Sequence, residues 1–319
     1  MAPVTKFFTL HTTGDKIPAI AFGSGTKWQW KKKGRGEEAA GTLDQDLLNV
    51  ISTALKSGFR HVDTAEVYTT RSEIGEAIRG SGIDRSEIWL TDKYNPGWSI
   101  NGKSHKADSD GPYSSLITGL KEMKLEYVDL FLLHSPFFSK ETSGITVEEA
   151  WRQMELLQEK GLAKNIGVSN FNIEMLEKIF KICKIKPQVN QIEFHSYLQN
   201  QSPNIVKFCK ENDILVEAFS PLSPILPNKA KGKGPLDPII EELSLKYGIT
   251  ETQLLLLWVY KYGVLPVTTT SNESRMIEIL KIFQIELSDE DFNKITEIGE
   301  TYHFRGVFHD YFGEEPPKP

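Results

Sequence analysis

The stretch DQDLLNVISTALKSGFRHVDTAEVY, Asp44–Tyr68, holds one helix-to-strand unit and the polar rim that follows it. Leu47, Leu48, Ile51, Ala54 and Leu55 recur at the spacing of one helix face, and Gly58 supplies a stop. Phe59–Asp63 is then a short apolar run of strand length that ends on a carboxylate. The same order returns along the chain. Strand candidates lie at Ala19–Gly23, Phe59–Asp63, Ile88–Lys93, Val128–His134, Asn165–Ser169, Gln188–Ile192, Ile214–Phe219 and Val264–Thr268, with helical patterns between them. Among those helices, Thr146 with Glu149 forms a capping box before Trp151, Met154 and Leu157, and Ser288 opens a last one carrying Phe292, Ile295 and Ile298. Strands alternating with helices give a parallel sheet, and eight such units close it into a (β/α)8 TIM barrel.

Everything outside the eight units reads as an addition to that barrel. Phe7–Ile20 holds two apolar runs around Thr13, Gly14 and Asp15, a β-hairpin. Asn95–Pro112, rich in Gly, Ser, Asp and Lys, and Ser223–Pro238, with four prolines and two Lys-Gly pairs, read as loops leaving strand ends. The tail, residues 300–319, carries His303, Phe304, Phe308, His309, Tyr311 and Phe312 and is expected to lie over the active-site face. The 319 residues are therefore expected to form a single domain, 1–319.

Composition narrows the function. A net charge of −6, with no basic run longer than Lys31–Lys33, argues against a nucleic-acid partner. No apolar run is long enough to span a membrane, and Met1–Phe8 has no apolar core of a signal peptide, so the expected compartment is the cytoplasm. Cys183 and Cys209, each expected within a helix, lack metal-site spacing and read as reduced packing residues. No metal is expected. A monomer or weak dimer is the expected assembly.

Reactive side chains recur at one place in the repeating unit, the C-terminal ends of the strands: Asp63, Lys93, His134, Ser169 with Asn170, and Gln191. In a parallel barrel those ends share one mouth, where barrel enzymes do their chemistry. Tyr68 follows Asp63 onto the rim. Lys93 beside it would lower a phenol pKa that is otherwise near 10, with Asp63 holding the lysine, and His134 would hydrogen-bond a carbonyl oxygen or relay its proton. Such a set suits hydride addition to a carbonyl, with a cofactor carrying the electrons. The bland alternative is a buried Asp–Lys pair with a rim tyrosine and a packed histidine.

The segments GFRHVDTA with Tyr68, TDK (Thr91–Lys93), LLHSP (Leu132–Pro136), GVSNF (Gly167–Phe171), NQIE (Asn190–Glu193) and AFSPL (Ala218–Leu222) together resemble the signature blocks of the aldo-keto reductase family over nearly the whole chain. The resemblance implies an NADPH-binding barrel with Asp63, Tyr68, Lys93 and His134 as catalytic tetrad. It further implies that Ser169, Asn170 and Gln191 hold the nicotinamide carboxamide and that Phe219, where the family more often has Tyr, lies against the ring. Gly25, Thr26, Asp63, Ser220 and Leu222 join the implied cofactor contacts. Pro266–Arg275 matches the site for the adenosine 2′-phosphate, with Thr270, Ser271, Asn272 and Arg275 as contacts, although the family's Lys-Ser pair is replaced by Thr and Ser here. Ser135 stands where many relatives carry Trp after the catalytic His.

The combination of Gly25–Trp28, Lys93–Trp98, His134–Phe138 and Asn190–His195 is similar to the fungal subgroup of conjugated polyketone reductases, which act on ketopantoyl lactone and other vicinal dicarbonyls. It implies a substrate pocket from Trp28, Trp98, His134, Ser135 and Phe137 and reduction of an activated small-molecule ketone. A sugar dehydrogenase or general aldehyde reductase of the same family is the alternative.

Other classes have weaker support. Gly97–Ser104 fits the phosphate-loop pattern, but the polar, turn-rich His105–Pro112 offers no helix to carry it. No glycine-rich dinucleotide fingerprint stands at a strand-to-helix junction. His61 and His195 lack a third ligand for zinc. A non-enzymatic NADPH-binding subunit is possible on this fold, and the complete tetrad argues against it.

Overall fold

Eight strands of the computed structural model close into one parallel barrel, and each lies on one of the expected strand segments. The structure describes residues 6–35, 42–100 and 103–313. Residues 1–5 of the expected non-signal start, 101–102 of the phosphate-loop-like stretch and 314–319 of the tail lie outside that description, as do 36–41. In chain order the strands are β1 (Phe7–Thr9), β2 (Lys16–Pro18), β3 (Ala21–Gly23), β4 (His61–Asp63), β5 (Trp89–Tyr94), β6 (Trp98–Ile100), β7 (Lys103–His105), β8 (Val128–Leu133), β9 (Ala163–Ser169), β10 (Val189–Glu193), β11 (Leu215–Phe219) and β12 (Leu265–Thr268). The barrel runs β3-β4-β5-β8-β9-β10-β11-β12, and β12 pairs with β3 to close it.

The helices between strands start and stop where the sequence provides partners for free backbone groups. Asp44 Oδ1 accepts from the N–H groups of Asp46 and Leu47, and Gly58 ends that helix at φ 115°, a conformation that favours glycine. The Thr146–Glu149 capping box is formed, and Ser288 caps the helix Asp289–Glu300. Their apolar faces pack on the outside of the barrel in a large buried cluster with Val62, Leu90, Phe131, Val168, Ile192 and Ala218.

Alternation along each strand then decides what points inside. In β5, Leu90 and Tyr94 join the outer core while Trp89 joins the inner one, which gives Thr91 and Lys93 the inward parity. By the same count Asp63, Ser169, Gln191, Glu193, Glu217 and Phe219 share the inner face. The lower half of the interior is apolar, built from Leu130, Leu132, Val189, Leu265 and Val267. The antiparallel β1–β2 hairpin plugs this end with Leu10 and Ile17. Its turn is tied down where Thr13 Oγ1 donates to Asn165 Oδ1 at 2.9 Å and Asn165 Nδ2 donates to Asp15 Oδ2 at 2.8 Å. The polar half therefore faces the opposite, open end.

Three additions surround the mouth. β6 and β7 form an antiparallel hairpin within the 95–112 excursion, and the next helix begins only at Pro112, so the Gly97–Ser104 stretch does not lead into the helix start a phosphate loop requires. The 223–238 segment is a short 3₁₀ turn followed by irregular chain up to the helix Asp237–Tyr247. The tail returns to the barrel where the N–H groups of Gly306 and Val307 donate to Glu193 at 2.8 and 3.2 Å. Both cysteines are free; Cys209 lies in the helix Ile205–Glu211, but Cys183 sits beyond the end of Ile173–Phe180, correcting the expectation that it is helical. Among the described residues no helix is long and apolar enough to cross a membrane.

Candidate active site

Asp63, at the last position of β4, and Lys93, next to last in β5, meet inside the mouth. Lys93 Nζ donates to Asp63 Oδ1 at 2.6 Å and to the Thr64 carbonyl at 2.9 Å, and the lysine is fully buried. Burial works against the ammonium, but the charges of Asp63 and the nearby groups outweigh it and hold Lys93 above the ordinary lysine value. Asp63 spends its second oxygen on Gln191, whose Nε2 donates to Oδ2 at 3.0 Å.

Tyr68 comes from the 3₁₀ turn Glu66–Tyr68 directly after β4. Its ring centroid lies 5.4 Å from Lys93 Nζ, and its hydroxyl is 3.4 Å from His134 Nε2, an edge-on ring contact at 5.5 Å between centroids. The sequence led us to expect a lowered phenol pKa. Burial instead pushes it up, Lys93 pulls against that, and Asp63 and Asp92 add to the rise, so the net direction is upward. The phenol is thus firmly protonated at neutral pH, which is the state a proton donor needs. The β3 exit packs on the same ring: a Cβ on Gly25 would meet Tyr68 ring carbons at 2.9 Å.

His134 follows β8, and burial together with the Lys93 charge pushes its pKa down to about 3. The imidazole is therefore neutral at working pH and can donate one N–H without carrying charge. Beside it, Ser135 is buried with its hydroxyl unpartnered among the described residues. Phe137 packs against two tail rings, Tyr311 at 4.0 Å and Phe308 at 5.3 Å between centroids. The tail therefore reaches the strand-end loop that carries His134.

Around this centre the expected carboxamide residues form one network. Ser169 Oγ donates to the Gln191 carbonyl at 2.7 Å; Asn170, held at φ 63°, donates from Nδ2 to the His134 carbonyl and Ser169 Oγ, both at 3.0 Å. Phe219 ends β11 and is only partly buried, which leaves it accessible to a stacking partner. Ser220 follows at φ 57°, its hydroxyl accepting from Lys229 Nζ at 2.9 Å.

At the far end of the expected cofactor track, Asn272 caps the helix Glu273–Leu280, and Thr270, Ser271 and Arg275 gather at its start. The Lys-Ser pair absent from this block has a counterpart from elsewhere: Lys27 Nζ, at the β3 exit beside Thr26, donates to Ser271 Oγ at 3.1 Å. A cavity of about 500 Å³ here is lined by Lys27, Trp28, Lys31, Asp46, Asn49, Val50 and Ser271.

Two expected substrate residues lie on separate segments that leave the strand ends. Trp28 is buried in the short helix Lys27–Lys33 and faces the Lys27–Ser271 cavity, and Trp98 stacks on His105 across the β6–β7 hairpin at 6.1 Å. Local sequence cannot assign either to the carbonyl end, because their position depends on how the loops fold back. Residues the sequence reading left without a role are Lys27, Glu193, Lys229 and Glu217. Glu217 left a signal, a lone carboxylate at an inward position of the apolar run Ile214–Phe219. Its burial pushes the carboxyl up to about 8, Gln191 opposing and Asp63 adding to the shift.

Comparison with known proteins places nearly the whole chain beside one family. The profile of the aldo/keto reductase family matches residues 20–300. The chain is 48% identical to the NADPH-dependent alpha-keto amide reductase of Saccharomyces cerevisiae over 297 residues, 92% of this chain and 91% of that one. It is 35% identical to the NAD/NADP-dependent indole-3-acetaldehyde reductase of Schizosaccharomyces pombe, covering 92% and 95% of the two chains. Among solved structures, a silkworm aldo-keto reductase complexed with NADPH superposes with a TM-score of 0.76 at 31% identity, over 92% of this chain and 88% of that one.

Proposed function

The chain belongs to the aldo/keto reductase family, and from that premise we propose that it reduces activated ketones, carbonyls with a second carbonyl on the neighbouring carbon, with NADPH as cofactor. The observation that carries the reading is the buried Asp63–Lys93 pair set beside a protonated Tyr68 and a neutral His134 at one barrel mouth. The substrate class is supported by the relative named for alpha-keto amides, which are themselves vicinal dicarbonyls. Ketopantoyl lactone and conjugated polyketones belong to the same chemical class.

The residues present fit the cofactor. Ser169, Asn170 and Gln191 would hold the carboxamide, the partly buried Phe219 would lie against the ring, Ser220 and Leu222 would meet the diphosphate, and Gly25 and Thr26 would border it. Lys27 and Arg275, with Thr270, Ser271 and Asn272, offer two cations, hydroxyls and a helix N-terminus to the 2′-phosphate, which distinguishes NADPH from NADH. When bound, NADPH supplies the hydride for the carbonyl carbon.

The chain's own part is to orient the carbonyl and manage one proton. His134 donates a hydrogen bond to the carbonyl oxygen without adding charge. As the C=O electrons move onto that oxygen, it takes the Tyr68 phenol proton. The phenolate left behind is stabilised by the Lys93 ammonium, which Asp63 and the Thr64 carbonyl hold in place. A neighbouring carbonyl makes the attacked carbon more electrophilic, so the site need only donate and hold still. Ser135, Phe137 and the tail rings would shape the pocket, with Trp98 and Trp28 at its borders.

The test follows NADPH and NADH absorbance with ketopantoyl lactone, isatin, a linear α-diketone and a plain aldehyde, and NADP⁺ reduction with D-arabinose. Fast NADPH loss with the dicarbonyls and slow loss with the aldehyde is the expected result. A preference for the sugar would reassign the chain to sugar oxidation on the same machinery. Tight NADPH binding without any turnover would point to a non-enzymatic subunit.

A further inference from the structure

Glu217 takes no part in the tetrad, yet it lies directly beneath it. It is fully buried on the inner face of β11 and is the register partner of Gln191 in β10. Gln191 Nε2 donates to Glu217 Oε2 at 2.7 Å and to Asp63 Oδ2 at 3.0 Å, while Glu217 Oε1 has no partner among the described residues. One side-chain nitrogen is thus clamped between carboxyl groups from β4 and β11.

A primary amide has two N–H donors on one side and a carbonyl oxygen on the other. With both donors committed to carboxyl groups, turning the amide over would lose two buried hydrogen bonds and set its carbonyl oxygen against theirs. Gln191 Oε1 is left as the end available to a ligand. Asp63 alone would hold only one of the two donors, and the second would be unpartnered in a water-poor interior.

We propose that Glu217 is a positioning residue: by holding the second N–H of Gln191 it fixes that amide as a hydrogen-bond acceptor, so that the site recognises the NH₂ of the nicotinamide carboxamide and discriminates against rings that lack it. The inference rests on the reading that Gln191 meets the carboxamide. It adds the reason this glutamine presents oxygen, and it places that reason on a side chain that touches neither cofactor nor substrate.

The test compares binding of NADP⁺ with that of its 3-acetylpyridine analogue, in which an acetyl group replaces the carboxamide and no N–H remains. Affinity is read by quenching of tryptophan fluorescence, independently of turnover. The wild-type chain should bind NADP⁺ about tenfold more tightly than the analogue. E217Q keeps an acceptor for Gln191 and should hold that ratio within about twofold. E217L should weaken NADP⁺ about five- to tenfold, leave the analogue nearly unchanged and bring the ratio toward one.

In a Q191L background, adding E217L should change NADP⁺ affinity by less than about twofold, since the residue acts through Gln191. An E217L protein that keeps the wild-type ratio overturns the proposal. So does an E217Q protein whose ratio falls toward one, an outcome readable even if E217L fails to fold. A full-sized further loss in the Q191L background would mean that Glu217 acts elsewhere. A wild-type chain that does not distinguish the two nucleotides would refute the Gln191 reading itself, and the Glu217 inference with it.

Discussion

Replacing Glu217 by Gln should remove a loss of stability that the wild-type chain suffers as pH rises. In the unfolded chain the Glu217 carboxyl has its ordinary value of 4.5, whereas burial in the barrel pushes it up to about 8. Between those values the folded state keeps a proton that the unfolded state releases. The stabilisation present below pH 4.5 is therefore lost progressively as pH rises toward 8. At about 1.4 kcal/mol per pH unit, the full loss is on the order of 5 kcal/mol, of which roughly 3 kcal/mol falls between pH 5.5 and 9. Gln has the same shape and the same acceptor for Gln191 but no proton to lose.

Thermal unfolding of the two cofactor-free proteins, followed by far-ultraviolet circular dichroism from pH 5.5 to 9, reads the difference. For a chain of this length, about 3 kcal/mol corresponds to roughly 4–5 °C. The Tm of E217Q should draw ahead of wild type by about that amount across the range. His61 and His134, both pushed down to about 3 by burial, destabilise each protein as pH falls below 6.5, and this cancels in the comparison. A Tm gap that stays flat from pH 5.5 to 9 would show that Glu217 is already ionised at the lower limit, and the description of a neutral acid under the tetrad would be refuted.

Y68F removes the phenol proton while keeping the ring, so kcat/KM for NADPH-driven reduction should fall by about 10²- to 10⁴-fold with NADPH affinity within about threefold of wild type; surviving turnover would remove Tyr68 as donor. K27A and R275A should each weaken NADPH about five- to tenfold in a fluorescence titration and leave NADH within about twofold. Equal losses for both cofactors would strike the 2′-phosphate from their roles. In G306A the new Cβ would meet Glu193 Oε1 at 2.7 Å, so the Glu193 carboxylate or the tail must give way. KM for a bulky diketone should rise with NADPH affinity unchanged, and an unaltered KM would show that the tail does not wall the pocket.

The repeating pattern, the helix ends and the polar strand ends were all legible in the chain, because each depends on neighbours within a few residues. Asp44 and Gly58 bound their helix through local backbone groups, and the alternation in Trp89–Tyr94 alone separates Lys93, which faces the barrel, from Asp92, which faces out to Arg71. The motif order named Asp63, Tyr68, Lys93 and His134, which the fold brings together at one mouth. What the chain could not disclose are pairings that exist only once the barrel closes. Lys27 and Ser271 are 244 positions apart and meet because β12 pairs with β3. Glu193 meets Gly306 because the tail folds back over the mouth, and the Glu217–Gln191–Asp63 clamp needs β10, with β11 beside it, to face β4 across the interior. Proton affinities belong to the same class. Lys93 beside Tyr68 suggested a lowered phenol pKa, but desolvation is set by how tightly the whole mouth packs, and in the folded chain it prevails. Sequence determined which groups stand at the strand ends; tertiary structure decided their partners and their charge, since both depend on distance and water exclusion among residues far apart in the chain.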